Sequence, residues 1–355
     1  MFSIYVTLPL VVASTLFALF VINRERESLG KRSMRHVVAR QSSHSTPTPR
    51  VGGAAIAVGI LSGALLSGYD SFGLLLWTTL PIFLIGLLED LGPETPPSLR
   101  LGVAAISSIL AVLTFDTTID RVSLPLFDPI FALPFVAAGF TIFACVGFTH
   151  AINLIDGLNG LSSAIVIFIM AGFALVAYRF GHSDLLTINL VVIAAFSGFI
   201  LVNFPFGRIF LGDAGAYSVG HIIAWNAIFL LAREPQISAW GILLIILWPV
   251  LDTVFAMVRR MRMGSSISRP DRLHFHHVAM RLIMICAPNL RAKSKANPIA
   301  SILVWPLAFI PCVLGVYFIT DTQSAIIAIG VFSYLYSVSF TILIRNARRL
   351  NAIFA

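Results

Sequence analysis

Apolar runs of roughly 17 residues or more, long enough to cross a bilayer as helices, recur along the whole of this 355-residue chain. No other feature restricts its fold as much. The chain is 58% hydrophobic and 11% charged, with mean hydropathy +0.92, whereas a soluble protein carries about a quarter charged residues. That is too little charge to cover a globular surface. A membrane β-barrel would show short alternating segments instead. The expectation is an all-α, polytopic integral membrane protein, with residues 1–355 forming a single transmembrane domain. Three scattered cysteines, Cys145, Cys286 and Cys312, suggest neither a disulfide framework nor a zinc site.

Eleven candidate spans can be marked: 3–22, 51–68, 72–88, 99–115, 131–151, 161–180, 185–203, 215–232, 239–258, 299–319 and 324–344. The first lacks a basic leader and a small-residue cleavage site, so it reads as a retained helix. An odd count puts the termini on opposite sides, and the basic residues choose which. With the N-terminus periplasmic and the C-terminus cytoplasmic, all of the 24 Lys and Arg residues except Arg121, Arg179 and Arg233 fall inside, as the positive-inside rule requires. Segments 23–50, 89–98, 152–160, 204–214 and 259–298 are then cytoplasmic. These segments also hold nearly all the unusual polar residues.

Segment 23–50 ends in Pro47-Thr-Pro-Arg-Val-Gly-Gly53. It reads either as a helix-entry turn or as a phosphate-contacting strand with Arg50 and His44 as cations. Glu89 and Asp90 close an apolar helix, where they repel one another and meet the negative end of the helix dipole. A cation or proton handled there would explain them, and Arg100 is the nearby counter-charge. Asn153 and Asp156, three residues apart, share a face if the turn is helical, and Asn159 continues it. Asp213, in Phe210-Leu-Gly-Asp-Ala-Gly215, precedes an apolar span and can cap that helix. Capping accounts for an aspartate but not for the glycines on both sides. The last loop carries Arg269, Arg272, His274, His276 and His277. Its histidines do not share one helical face, and they read as donors to a phosphate or sugar rather than a metal site. Asp252 is the main carboxylate within a span; a helix-packing hydrogen bond is the simplest account of it.

Five motifs in order resemble those of the polyprenyl-phosphate N-acetylhexosamine-1-phosphate transferases, of glycosyltransferase family 4 type. They are Pro47–Gly53, Leu88–Leu91, Asn153–Leu161, Phe210–Gly215 and Pro270–His277. The resemblance implies a membrane transferase of the bacterial inner membrane that moves N-acetylhexosamine-1-phosphate from a UDP-sugar to undecaprenyl phosphate, releasing UMP. It implies Mg2+, with Mn2+ as a substitute, held by Asp213 and Asp90. Catalytic roles fall on Asp90, Glu89, Asp156 and Asp213. Substrate contacts fall on Asn153, Asn159, Arg50, Arg100, Arg272, His274, His276 and His277. Expected partners are the two substrates and the bilayer, with a homodimer as the candidate assembly and no nucleic acid. Two positions depart from the family pattern: Glu89 stands where an aspartate is usual, and Asn159 where a second aspartate is frequent. The Arg-Pro-Asp-Arg-x-His-x-His-His form resembles the branch using UDP-N-acetylglucosamine, which starts an O-antigen, teichoic acid or similar polymer. The alternatives are the phospho-MurNAc-pentapeptide transferases and, in a different class, a secondary transporter.

Overall fold

The computed structural model describes residues 4–24, 48–92, 95–264 and 273–354. His44, Arg269 and Arg272 therefore lie outside the described residues, and the roles expected of them have no structural counterpart here. Among the described residues the regular structure is helical, without strands. In chain order the helices are α1 (Ile4–Arg24), α2 (Gly52–Ser67), α3 (Asp70–Leu91), α4 (Pro97–Phe115), the single turn α5 (Asp128–Phe131) and α6 (Pro134–Ile155). They continue with α7 (Leu161–Arg179), α8 (Ser183–Asn203), α9 (Gly212–Arg233), α10 (Ala239–Ile245), α11 (Leu247–Arg262), α12 (Phe275–Cys286), α13 (Lys293–Tyr317) and α14 (Thr322–Phe354).

Ten of the eleven expected spans each fall mainly in one helix, whereas 239–258 is divided between α10 and α11, and not all the helices have membrane length. Among the described residues nine helices are long and apolar enough to cross a bilayer, and α10 with α11 adds a tenth if that bent pair is one span. The 84° bend between α10 and α11 follows from Pro249, in the first turn of α11. Proline has no N–H to return to residue 245, and its ring clashes with that carbonyl, so one continuous helix cannot form. Helix α2 has 16 residues, about 24 Å of rise, and is shorter than expected. Its start is fixed where the Gly52 and Gly53 N–H groups bond the carbonyls of Phe210 and Leu211, and Gly68, in the left-handed conformation, ends it. Segment 259–298, read as a loop, contains α12 and the start of α13.

Helix α9 is the centre of the bundle, buried at every position from Gly212 to Leu231 except Ser218 and packed on α2, α3, α6 and α7. On the outer helices large apolar side chains such as Phe17, Leu65, Trp77, Leu113 and Phe143 are exposed, as suits a surface that meets lipid. At the end of α9 remote from Asp213, Arg121 donates to the carbonyls of Leu231 (2.6 Å), Glu234 (2.8 Å) and Ile237 (2.8 Å). It thereby satisfies orphan acceptors at the helix C-terminus.

Helices α3 and α9 cross at a contact that leaves no room for a side chain. A methyl group on Gly86 would lie 2.6 Å from Ala214 N and Cα, inside van der Waals contact with backbone. Gly86→Ala should therefore lower stability by about 1–3 kcal/mol, the usual cost of overpacking. Thermal unfolding in detergent checks this, with the exposed Gly73→Ala in the same helix as the neutral control, since nothing lies near a Cβ there.

Candidate active site

Five of the expected residues meet where the end of α3, the start of α9 and the end of α6 come together. Gly212 (φ 76°) turns the chain into α9 in a conformation open mainly to glycine. A Cβ there would also strike the carbonyl of Arg50 and the carboxylate of Asp90. The turn brings the first N–H groups of α9 onto Asp90. The Asp213 N–H donates to Asp90 Oδ1 at 2.9 Å, and the Ala214 N–H to Oδ2 at 3.0 Å.

This corrects the expected division of labour. Asp213 does not cap its own helix: it lies in the first turn of α9, whose N-cap, Leu211, makes no side-chain cap bond. The capping carboxylate is Asp90, from 123 residues away. The position is unfavourable within α3, but at the start of α9 the Asp90 carboxylate gains two backbone N–H donors. Glu89 is balanced separately. It pairs with Arg100 at 2.8 Å and accepts the Thr95 hydroxyl, and Arg100 also reaches Tyr217 Oη at 3.5 Å. The counter-charge expected of Arg100 is present, and its partner within the acidic pair is Glu89.

With Asp90 holding the backbone, the Asp213 side chain turns toward the other loops. Its Oδ1 accepts from Asn153 Nδ2 (2.7 Å) and Arg50 Nη2 (3.1 Å), and Arg50 Nε lies 3.9 Å from Asp90 Oδ1. Burial opposes the charge on Arg50, but Asp213, then Asp90, Asp156 and Glu89, more than offset it and hold its pKa above the ordinary value. Asp156 is not on the face of α6 that Asn153 occupies; it is the C-cap residue just past the helix end. It accepts the Ser162 hydroxyl at 2.6 Å and the Gly212 N–H. Burial raises its carboxyl to about 6, with the Ser162 bond and Arg50 opposing that rise and Asp213 adding to it.

Asn159 does not join this group. Its N–H donates to Asn297 Oδ1 and its Nδ2 to the Pro205 carbonyl, so it ties the 203–207 turn to α13. The three histidines, by contrast, come together although their spacing does not share a helical face, because His274 is the N-cap of α12 and only His276 and His277 are helical. Ring centroids lie 5.8 Å apart for His274–His276 and 4.2 Å for His276–His277. A Cβ on Gly157 would strike the His276 and His277 rings, so the histidine group touches the residue next to Asp156. Burial, then His277, holds His276 well below the ordinary histidine range.

Asp252 does more than a helix-packing bond would need. Its Oδ2 lies 2.7 Å from His274 Nδ1, and its Oδ1 accepts from the Phe275 N–H (3.1 Å) and the Tyr336 hydroxyl (2.6 Å). The carboxylate in the span signalled Asp252; nothing in the sequence around Tyr336 marks that residue.

Among the described residues no group of three or more His, Cys, Asp or Glu side chains forms a ready metal cage. The donor set nevertheless fits magnesium. It consists of carboxylate and amide oxygens around a concentrated negative charge that Arg50 now balances, and Mg2+ takes one or two carboxylates with waters and substrate phosphates rather than an all-protein cage. Asp213 is the better placed of the two expected ligands, because both oxygens of Asp90 already receive backbone N–H groups.

Residues 72–231 match the family model described as glycosyl transferase family 4, a stretch that includes Glu89, Asp90, Asn153, Asp156 and Asp213. Over 244 residues, 67% of each chain, this protein is 34% identical to a probable undecaprenyl-phosphate N-acetylglucosaminyl 1-phosphate transferase of Bacillus subtilis. It is 31% identical over 253 residues to the undecaprenyl-phosphate alpha-N-acetylglucosaminyl 1-phosphate transferase of Haemophilus influenzae, covering 67% of this chain and 69% of that one. A phospho-N-acetylmuramoyl-pentapeptide-transferase of Streptococcus pneumoniae is more distant, 26% identical over 271 residues, 71% of this chain and 80% of that one. Identity over two thirds of these relatives, with the motifs gathered into one cluster, makes the chain a member of glycosyl transferase family 4, the polyprenyl-phosphate N-acetylhexosamine-1-phosphate transferases.

Proposed function

We propose that this multi-pass protein of the bacterial inner membrane transfers N-acetylglucosamine-1-phosphate from its UDP-sugar to undecaprenyl phosphate, releasing UMP and starting a cell-envelope polysaccharide. The observation that carries the reading is the convergence of Arg50, Asp90, Asn153, Asp156 and Asp213 at one end of an apolar bundle. A lipid acceptor and a soluble nucleotide can meet only at such an edge. The charge distribution supports a cytoplasmic position for that edge, with the N-terminus periplasmic and the C-terminus cytoplasmic. Arg121 and Arg233, two of the three basic residues assigned outside, lie at the opposite end of α9.

In the reaction an oxygen of the lipid phosphate forms a bond to the β-phosphorus of the UDP-sugar. The bond from that phosphorus to the bridging oxygen breaks, and UMP leaves with the electron pair. Positioning and electrostatics dominate a transfer of this type. Asp213 would hold magnesium, which when bound supplies neutralising charge to the diphosphate. Asp90 fixes the start of α9 and with it the aim of Asp213. Asn153 orients the Asp213 carboxylate. Arg50 places a positive charge between the two aspartates, within reach of an incoming phosphate. Asp156 and the three histidines line the adjoining wall, where the nucleotide and phosphates would lie. The acceptor needs little help from a base, because the second pKa of a phosphate monoester is about 6.

Purified protein with undecaprenyl phosphate, magnesium and a panel of UDP-sugars should release UMP, fastest with UDP-N-acetylglucosamine. EDTA should stop the release and added magnesium restore it. If no sugar yields UMP, the reading is wrong; if UDP-MurNAc-pentapeptide is the best donor, the substrate assignment is wrong.

A further inference from the structure

The histidine group is held from outside its own segment. Helix α11 leaves the 84° bend with Asp252 on its buried side, 1% exposed. Both carboxylate oxygens are used: Oδ1 by the first N–H of α12 and by the Tyr336 hydroxyl of α14, and Oδ2 by His274 Nδ1. A carboxylate can only accept, so Nδ1 of His274 carries the proton in this contact. The other ring nitrogen, Nε2, has no hydrogen-bond partner among the described residues. The rings facing His274 are His276 and His277, and these pack against Gly157, beside Asp156.

We infer that Asp252, steadied by Tyr336, is a positioning residue for the transfer: by accepting Nδ1–H it fixes the His274 ring and tautomer and leaves Nε2 to accept from a substrate hydroxyl. This rests on the transferase reading above. A histidine whose Nδ1–H is held by a carboxylate is fixed in tautomer and ring orientation. Three elements distant in sequence, α11, α12 and α14, meet at this one carboxylate.

Asp252→Asn separates positioning from support. Two donors on Oδ1 oblige the amide oxygen to stay there, so the new NH2 faces Nδ1. That nitrogen must then accept, so the ring proton moves to Nε2, which can no longer accept. The expected result is kcat for UMP release about 10–100-fold lower, the usual cost of losing an orienting partner, with KM for the UDP-sugar within about twofold and the unfolding midpoint unchanged. Tyr336→Phe should lower kcat in the same direction by less. In a His274→Ala background Asp252→Asn should cost nothing further, because its effect passes through that ring. Wild-type kcat in Asp252→Asn overturns the inference, and so does an undiminished loss in the His274→Ala background. A wild-type protein that releases no UMP overturns the transferase reading itself, and the inference with it.

Discussion

Asp213→Asn should lower the rate of UMP release by about 10²–10³-fold, the usual loss when a group that stabilises charge on the reacting phosphates is removed. The fold should survive. The side chain does not cap α9, and an asparagine oxygen in the place of Oδ1 still accepts from Asn153 and Arg50. What changes is the charge. Arg50 then faces one aspartate fewer, and the cluster attracts a divalent cation less strongly. Titrating magnesium against rate should show a raised requirement, with the unfolding midpoint near that of the wild type. Normal turnover at normal magnesium would remove Asp213 from the centre of the mechanism.

Asp90→Ala should cost both stability and turnover, and that combination distinguishes it from Asp213→Asn. Two buried N–H groups at the start of α9 lose their acceptor together. Loss of a helix cap costs about 0.5–2 kcal/mol, and a buried donor left unsatisfied about 1–3 kcal/mol. The unfolding midpoint should fall measurably. Turnover should fall by about 10²-fold or more, because a misplacement of about 1 Å at a reacting centre can cost that much. Asp90→Asn retains one acceptor but sets an amide NH2 against a backbone N–H, so it should be intermediate in stability. An Asp90→Ala protein that is fully stable but inactive would instead assign Asp90 a direct role in the chemistry.

Much of this molecule can be read along the chain, and what cannot has a consistent physical cause. Apolar runs mark the helices, because lipid exposure depends on local composition. The acidic pair, Asp213 and the histidines stand out because each is a costly residue near an apolar helix end. Partner choice was not legible. The sequence could place Asp90 only at the unfavourable end of its own helix; that it caps α9 depends on the crossing at Gly86, which is tertiary. The same applies to the histidines, whose spacing argues against a cluster until His274 is seen to precede the helix. It applies equally to Asn159, which looks like part of a ligand-facing series but ties the 203–207 turn to Asn297. Tyr336 carries no local signal at all.

Helix α9 is held at both ends by charges of the sign each end favours, Asp90 at the first turn and Arg121 at the last. A helix held in this way acts as a strut rather than a piston. Sliding or rotating it would break ionic hydrogen bonds at the two ends of the molecule at once. Asp213 is therefore tied in place relative to the segments that carry Asp90 and Arg121. Any rearrangement that admits the lipid, closes on the nucleotide or releases UMP has to be made by neighbouring segments moving against a stationary carboxylate.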